Sequence, residues 1–356
     1  MGAAILYSMN KIVAPMPYEA GTVVNPVSGK AIRCQVLRDG RPSPPPRNLG
    51  DLSEILKESG SFVWFDVADP GPSDLTLLEE EFDLHPLAVE DAINAHQRSK
   101  IEDYGTYWFI VVHGVTRAGA RLAFHEIDLF VGKKFIVSAR HDPAYPLDEI
   151  ERRWLAHGAS SRPRHDSGFL LYTMLDTIVD GYSAVVDTIE DRVEDLEGGL
   201  FRGKPLDDED LVEVFTTRRD IQQFRRAVVP MREILSPIMR GDLSLLPAEE
   251  MPYYRDVYDH VVRAIDDLDA VRDLASSALD LHLSVSNAQQ NEVSKQLTII
   301  ATIFLPLTFV TGFFGQNFSW MIDHINGFRP FAILGVGGEV VALASLVFYF
   351  KRKRWF

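Results

Sequence analysis

The stretch "LTIIATIFLPLTFVTGFFGQNF", Leu297 to Phe318, decides how this chain is read. Its first 18 residues, through Phe314, carry no formal charge and are long enough to cross about 30 Å of hydrocarbon as a helix. The run closes on a glycine and two amides, Gly315, Gln316 and Asn317, and Trp320 follows. A second run, "FAILGVGGEVVALASLVFYF", Phe331 to Phe350, has 20 residues with Glu339 as its only charged side chain. Two membrane helices are therefore predicted; a buried hairpin in a soluble core fits such lengths less well. The connection from Gly315 to Pro330 has Arg329 as its only Lys or Arg, whereas the chain ends "KRKRWF", directly after the second run. Positive charge stays cytoplasmic. The expectation is a multi-pass protein of the cell (inner) membrane with both termini cytoplasmic and the GQN turn outside. Trp320 and Trp355 then sit where interfacial aromatics are expected.

The rest of the chain has a different composition. Of 356 residues 24% are charged, and the apolar residues concentrate at the C-terminal end, as in a soluble part followed by a membrane part. A formal net charge of -15 argues against nucleic acid as a partner, because phosphate neutralisation needs clustered Lys and Arg. It suits cations. Cys34 is the only cysteine, which excludes an intrachain disulfide framework and Cys-rich zinc sites. The opening "MGAAILYSMNKIVAPM" has no basic leader before its short apolar run and is not read as a signal peptide.

Residues 1–30 read as an N-terminal extension and 31–165 as a cytoplasmic α/β domain. Strand-like runs in that domain are "AIRCQVLR", "SFVWFDV", "YWFIVVHGVT", and the pair "RLAFHEIDLFV" and "KFIVSAR", which flank Gly132 and Lys133 as a hairpin. "SDLTLLEEEF" and "HPLAVEDAIN" have helical spacing and capping residues, and "RPSPPPRN", Arg41 to Asn48, is a Pro-rich loop. Residues 166–250 read as a helical hairpin, with one helix to about Glu197 and another from about Asp207 to Met239. A stalk helix over 251–296 leads without interruption into the first span, 297–315. An outer loop (316–330), the second span (331–350) and a basic tail (351–356) complete the chain. A rod from Pro252 to Phe314 would be roughly 90 Å long at 1.5 Å per residue, and it needs partners, either further copies of itself or the preceding helices.

Asp259, Asp266, Asp273 and Asp280 recur every seven residues, a slowly drifting stripe on a helix. Steps of three or four then lead through Ser284, Asn287, Asn291, Ser294, Leu297, Ala301, Leu305, Thr308 and Gly312 to the GQN turn. Acidic heptads also suit an ordinary solvated helix face. Continuity with the membrane run favours a pore: copies around an axis would form a cation-attracting stalk leading into a narrow uncharged channel. Mg2+ keeps several of its waters when it binds, so amide and carbonyl oxygens can accept hydrogen bonds from those waters and release the ion again. Leu297 and Leu305 would be apolar constrictions, and Gly315 would let the backbone turn sharply.

At these residues the sequence resembles the CorA family of divalent-cation (magnesium and cobalt) transporters. The resemblance rests on "NEVSKQLTIIATIFLPLTFVTGFFGQNF", the second span, the basic tail, "HPLAVEDAINAHQRSKIEDYGTYWFIV" and "MPYYRDVYDH". It implies an α+β fold, with a cytoplasmic α/β domain, a long stalk and two transmembrane helices per subunit, assembled as a homopentameric funnel. It further implies that Gly315 and Asn317 occupy the first and third positions of a Gly-Met-Asn signature, with Asn291, Thr308 and Gly312 lining the pore. Divalent cations, Mg2+ first, are the implied substrate and regulator. Asp91 and Asp256 match acids that hold regulatory metal between subunits, and Asp280 is a weaker candidate in the stalk. Gln316 stands where the family has Met, so zinc transport of the ZntB type, coupled to protons, is the alternative. Glu339 is predicted to be hydrogen-bonded at a helix interface, with a proton path as the other reading.

Other signals point to no enzyme. His85, His96, His113 and His125 show no ligand spacing, "GVGGE" lies inside a span, and neither a Walker sequence nor a nucleophile triad is present.

Overall fold

A computed structural model describes residues 21–25, 28–119, 121–157, 166–241, 246–316 and 318–355. "SFVWFDVA" becomes strand β4 of an eight-stranded sheet, and all but its last residue are buried. Successive side chains of a strand point to opposite faces, so burial at every position requires cover on both. Phe62 and Trp64 enter one core with Trp108, Ile110 and Ile136, while Val63 and Phe65 enter another with Phe109, Val111 and Val137.

The strands are β1 (Gly21–Val24), β2 (Ala31–Arg38), β3 (Arg41–Ser43), β4 (Ser61–Ala68), β5 (Lys100–Asp103), β6 (Tyr107–Ala118), β7 (Arg121–Gly132) and β8 (Phe135–Arg140). Their order is β1-β2-β4-β8-β7-β6-β5, with β3 also on β2. β4 and β8 are parallel and the other pairs antiparallel. β7 and β8 form the predicted hairpin around Gly132 and Lys133. Two short strands escaped the sequence reading: β1 lies in the stretch taken as an extension, and β3 begins the Pro-rich loop. Pro42 is tolerated there because β3 is an edge strand, where a missing N–H leaves no ladder bond unmade.

Helices α1 (Leu52–Lys57), α2 (Pro72–Phe82) and α3 (Pro86–Asn94) supply Leu52, Ile55, Leu75, Leu78, Ala88 and Val89 to the second core. α4 (Asp148–His157), α5 (Ser167–Phe201), α6 (Asp208–Val228), α7 (Met231–Arg240) and α8 (Met251–Phe314) supply the first. α6 and α7 correct the single helix predicted to Met239. Pro230 has no N–H and its ring crowds the carbonyl one turn back, so the helix stops at Val228 and restarts at Met231.

The sheet's parallel centre is tied by a buried ion pair. Arg140 donates from Nε and Nη2 to Asp66 at 3.0 and 2.7 Å, and its Nη1 reaches the Tyr145 carbonyl at 2.7 Å. Removing one partner leaves an uncompensated buried charge. Asp66→Ala is expected to destabilise the chain by about 3–5 kcal/mol, read as a lower denaturation midpoint; a loss well under about 1 kcal/mol would show the pair to be dispensable.

The chain divides into two compact units, Met1–Glu194 with Val212–Ala275 and Asp195–Leu211 with Ser276–Phe356. In the first, α8 buries Tyr254, Val257, Val261, Ala264, Leu268, Val271 and Ala275, a seam with alternating steps of three and four, and the Tyr254 hydroxyl donates to the Gly168 carbonyl at 2.7 Å. In the second, His282 Nδ1 accepts from the Leu206 N–H at 3.1 Å. That unit also holds the rest of α8, α9 (Ser319–His324) and α10 (Phe328–Arg352), with a π-helical opening at Phe331–Val336. Among the described residues, three helices are long and apolar enough to cross a membrane. The apolar window of α5 is 61% buried in protein, against 6% for α8 and 0% for α10, so α5 is a core helix and the other two are left for lipid or further copies.

Candidate functional site

The C-terminal half of α8 exposes Asn291, Leu297, Leu305, Thr308 and Gly312. At 100° per residue these five fall within an arc of roughly 120°. Asp259, Asp266, Asp273 and Asp280 are exposed too, and within the first unit the same rotation puts Asp259, Asp266 and Asp273 about opposite the buried seam. α8 therefore carries exposed acids on its first half and exposed uncharged groups on its second.

Chemistry on the second half follows from local bonding. The Thr308 hydroxyl donates to the Phe304 carbonyl at 2.8 Å, and Thr298 and Thr302 do the same one turn back, at 2.8 and 2.7 Å. With its proton satisfied inside the helix, each threonine oxygen offers only lone pairs outward. That suits the water shell of a cation. A Cβ added at Gly312 meets nothing within 4 Å, so the small residue has no cause within its own chain. Gly315 differs, because its added Cβ would lie 3.1 Å from the Thr311 carbonyl, to which its N–H donates at 3.0 Å as the helix closes. Gln316 is exposed and donates its N–H to the Phe313 carbonyl at 3.3 Å. Asn317 lies outside the described residues.

Glu339 on α10 finds a partner on α8. Its Oε1 lies 3.0 Å from the Thr311 hydroxyl, which also donates to the Leu307 carbonyl at 2.6 Å. One hydroxyl proton cannot fully serve both acceptors.

The acids of the first unit fall into separate places. Asp91, half-buried on α3, is paired with Lys100, whose Nζ donates to it at 2.6 Å and to Glu102 at 2.8 Å. Burial pulls the Lys100 ammonium down, but the two carboxylates outweigh it and hold it above its ordinary range. Asp256 is exposed on α8 and is brought together with Asp176 of α5 and His260, their ligand atoms all within 4.8 Å of one another. Burial, followed by the charge of Asp180, pushes the Asp176 carboxyl up. Arg153 answers both acids, at 3.1 and 3.0 Å. Among the described residues Asp91 belongs to no such ligand group, and Asp280 is an exposed member of the stripe. Sequence reasoning missed Asp176 and His260. His260 had a readable signal, the i, i+4 spacing from Asp256 in "RDVYDH".

Comparison with known proteins shows what the chain resembles. Residues 59–352 match the family model described as a CorA-like Mg2+ transporter protein. The chain is 32% identical over 311 residues to the cobalt/magnesium transport protein CorA of Thermotoga maritima, covering 86% of this chain and 87% of that protein. It is 25% identical over 231 residues to the zinc transport protein ZntB of Pectobacterium carotovorum, covering 64% of this chain and 67% of that protein. Its fold matches the complete structure of the CorA magnesium transporter from Methanocaldococcus jannaschii with a TM-score of 0.77 and 21% identity, over 91% of this chain and 98% of that one.

Proposed function

Because this chain belongs to the CorA family of divalent metal-ion transporters, and is a membrane transporter rather than an enzyme, we propose that it conducts hydrated Mg2+ through a homopentameric pore gated by cytoplasmic metal. Co2+ and Ni2+ are the further ions of this reading. Its chief support is α8, whose exposed acids give way along the chain to the exposed uncharged residues Asn291, Leu297, Leu305, Thr308 and Gly312. Five such helices around an axis would concentrate cations in the stalk and then offer them oxygens too weakly charged to hold them. Gly315, Gln316 and Asn317 would form the outer mouth. Both termini are taken as cytoplasmic, on the strength of the basic tail.

Gating would use the acids. A divalent ion between subunits, held by Asp91 of one and Asp256 of the next, would tie the closed state. Asp176 and His260 stand beside Asp256 to share in it, and Lys100 would have to give up Asp91 to the metal. When cytoplasmic metal falls, the unneutralised acids repel and the conducting state gains population.

A second reading, proton-coupled Zn2+ transport, is favoured by Glu339 beside Thr311 and by Gln316 in the signature. Uptake by purified protein in liposomes separates the two. A passive Mg2+ channel is expected to follow the ion's electrochemical gradient alone, with Glu339→Gln changing its rate less than about threefold, or about 0.7 kcal/mol. Zn2+ uptake that rises with an imposed pH gradient and is lost in Glu339→Gln would replace the first reading with the second.

A further inference from the structure

The α/β part contains a second group of metal-ligating side chains, well away in sequence from the acids assigned above. We propose that Glu126, Asp128 and His141 form a binding site for a borderline divalent cation, Zn2+ or Co2+. Two residues apart on β7, Glu126 and Asp128 project from the same face, and the β7–β8 register sets Asp128 opposite Ala139. His141, two positions beyond Ala139, follows on that side, with its Nε2 3.0 Å from Asp128 Oδ2. The three residues' ligand atoms all lie within 4.8 Å of one another. Ligands about 2.0–2.2 Å from a zinc ion are roughly 3–4 Å apart, so closing on a metal needs only small side-chain rotations.

An independent observation concerns Asp128 itself. Its side chain is wholly enclosed, and its Oδ1 has no hydrogen-bond partner among the described residues. An orphaned carboxylate oxygen in a protein interior is costly, and nothing in the fold of β7 demands an acid there. Val111, Phe130 and Ala139, its neighbours on that face, are all core residues. Glu126, by contrast, is held in place: its Oε1 accepts from the Gln97 N–H at 3.1 Å, and His113 Nε2 stands 3.9 Å from its Oε2. Supporting groups of this kind commonly orient metal ligands. His141 is partly exposed and gives an ion its way in.

Donor chemistry sets the class of ion. One imidazole nitrogen with two carboxylates suits Zn2+ or Co2+, whereas Mg2+ takes oxygen ligands in near-octahedral geometry and keeps its waters. None of the four histidines weighed from sequence is a ligand here. His141 comes close to Asp128 only through the strand pairing.

The test uses full-length protein purified in detergent and freed of metal. Equilibrium dialysis against Zn2+ is expected to give about one ion fewer per chain for His141→Gln and for Asp128→Asn than for wild type, while His85→Gln, which belongs to neither ligand group, keeps it. Titration with Co2+ is expected to give the intense visible absorption of a low-coordinate nitrogen and oxygen site, weaker in His141→Gln than in wild type and unaffected by an equal concentration of Mg2+. If wild type and His141→Gln bind the same number of Zn2+ ions and give the same Co2+ spectrum, Asp128 and His141 are a structural ion pair only and the site does not exist. Should Asp128→Asn fail to fold, His141→Gln, at the exposed edge, still decides. The assay reads binding and not flux, so its failure would leave the transport reading standing.

Discussion

Gly312→Leu is expected to abolish ion uptake while leaving each chain folded. Within its own chain a Cβ at this position meets nothing within 4 Å, and glycine is a poorer helix former than alanine by about 0.8–1 kcal/mol, with leucine ranked next to alanine. Nothing local therefore opposes the substitution. In the proposed pentamer, however, the same five positions converge on the axis, and five isobutyl groups would fill a passage sized for a hydrated ion. The expected result is normal expression and pentamer yield with uptake reduced by at least about a hundredfold, or about 2.7 kcal/mol on the transport barrier. Near-normal uptake would place Gly312 away from the ion's path.

The second large effect concerns the gate. Asp256→Lys puts a fixed positive charge where a regulatory ion would sit beside Asp176 and His260. If bound metal closes the pore by neutralising these acids, the lysine should act as a permanent occupant. Uptake is expected to stay low as internal Mg2+ falls, where the wild type opens. Lys100→Ala, which frees Asp91 from its 2.6 Å partner, should shift closure to lower internal Mg2+. The sign follows from competition: an ion that no longer displaces an ammonium binds more tightly. Uptake by Asp256→Lys that rises with internal Mg2+ would contradict this gating scheme.

Local pattern made some features legible and chain crossings hid others. β2 is the run "AIRCQVLR" itself, because Gly and Pro bound it on either side and Ile32 and Val36 favour an extended chain. The two apolar spans needed only length and the near absence of charge. β1 and β3 are too short to show a period of their own and exist through pairing with β2. The break at Pro230 was readable in principle, but the periodicity of the two flanking helices ran through it. Among candidate site residues, Asp256 could be named from its sequence context. Its neighbour Asp176 lies on a helix far back in the chain, and only the packing of α5 against α8 unites them. Asp91 likewise acquires Lys100 by strand and helix placement.

Native cysteine chemistry makes a direct measurement on α8 simple. Cys34 is buried, and burial pushes its thiol up to about 12, so it stays unreactive. Single cysteines at Thr308 and at Val310, which the same rotation puts roughly opposite the arc, can therefore be compared in an otherwise unaltered chain, with a membrane-impermeant cationic thiol reagent added during uptake. If α8 turns its uncharged flank toward a water-filled axis, Thr308→Cys is modified and uptake stops, while Val310→Cys is untouched. Thr308→Cys that resists the reagent in conducting protein, or reacts with no effect on uptake, would show that the ion travels by another route.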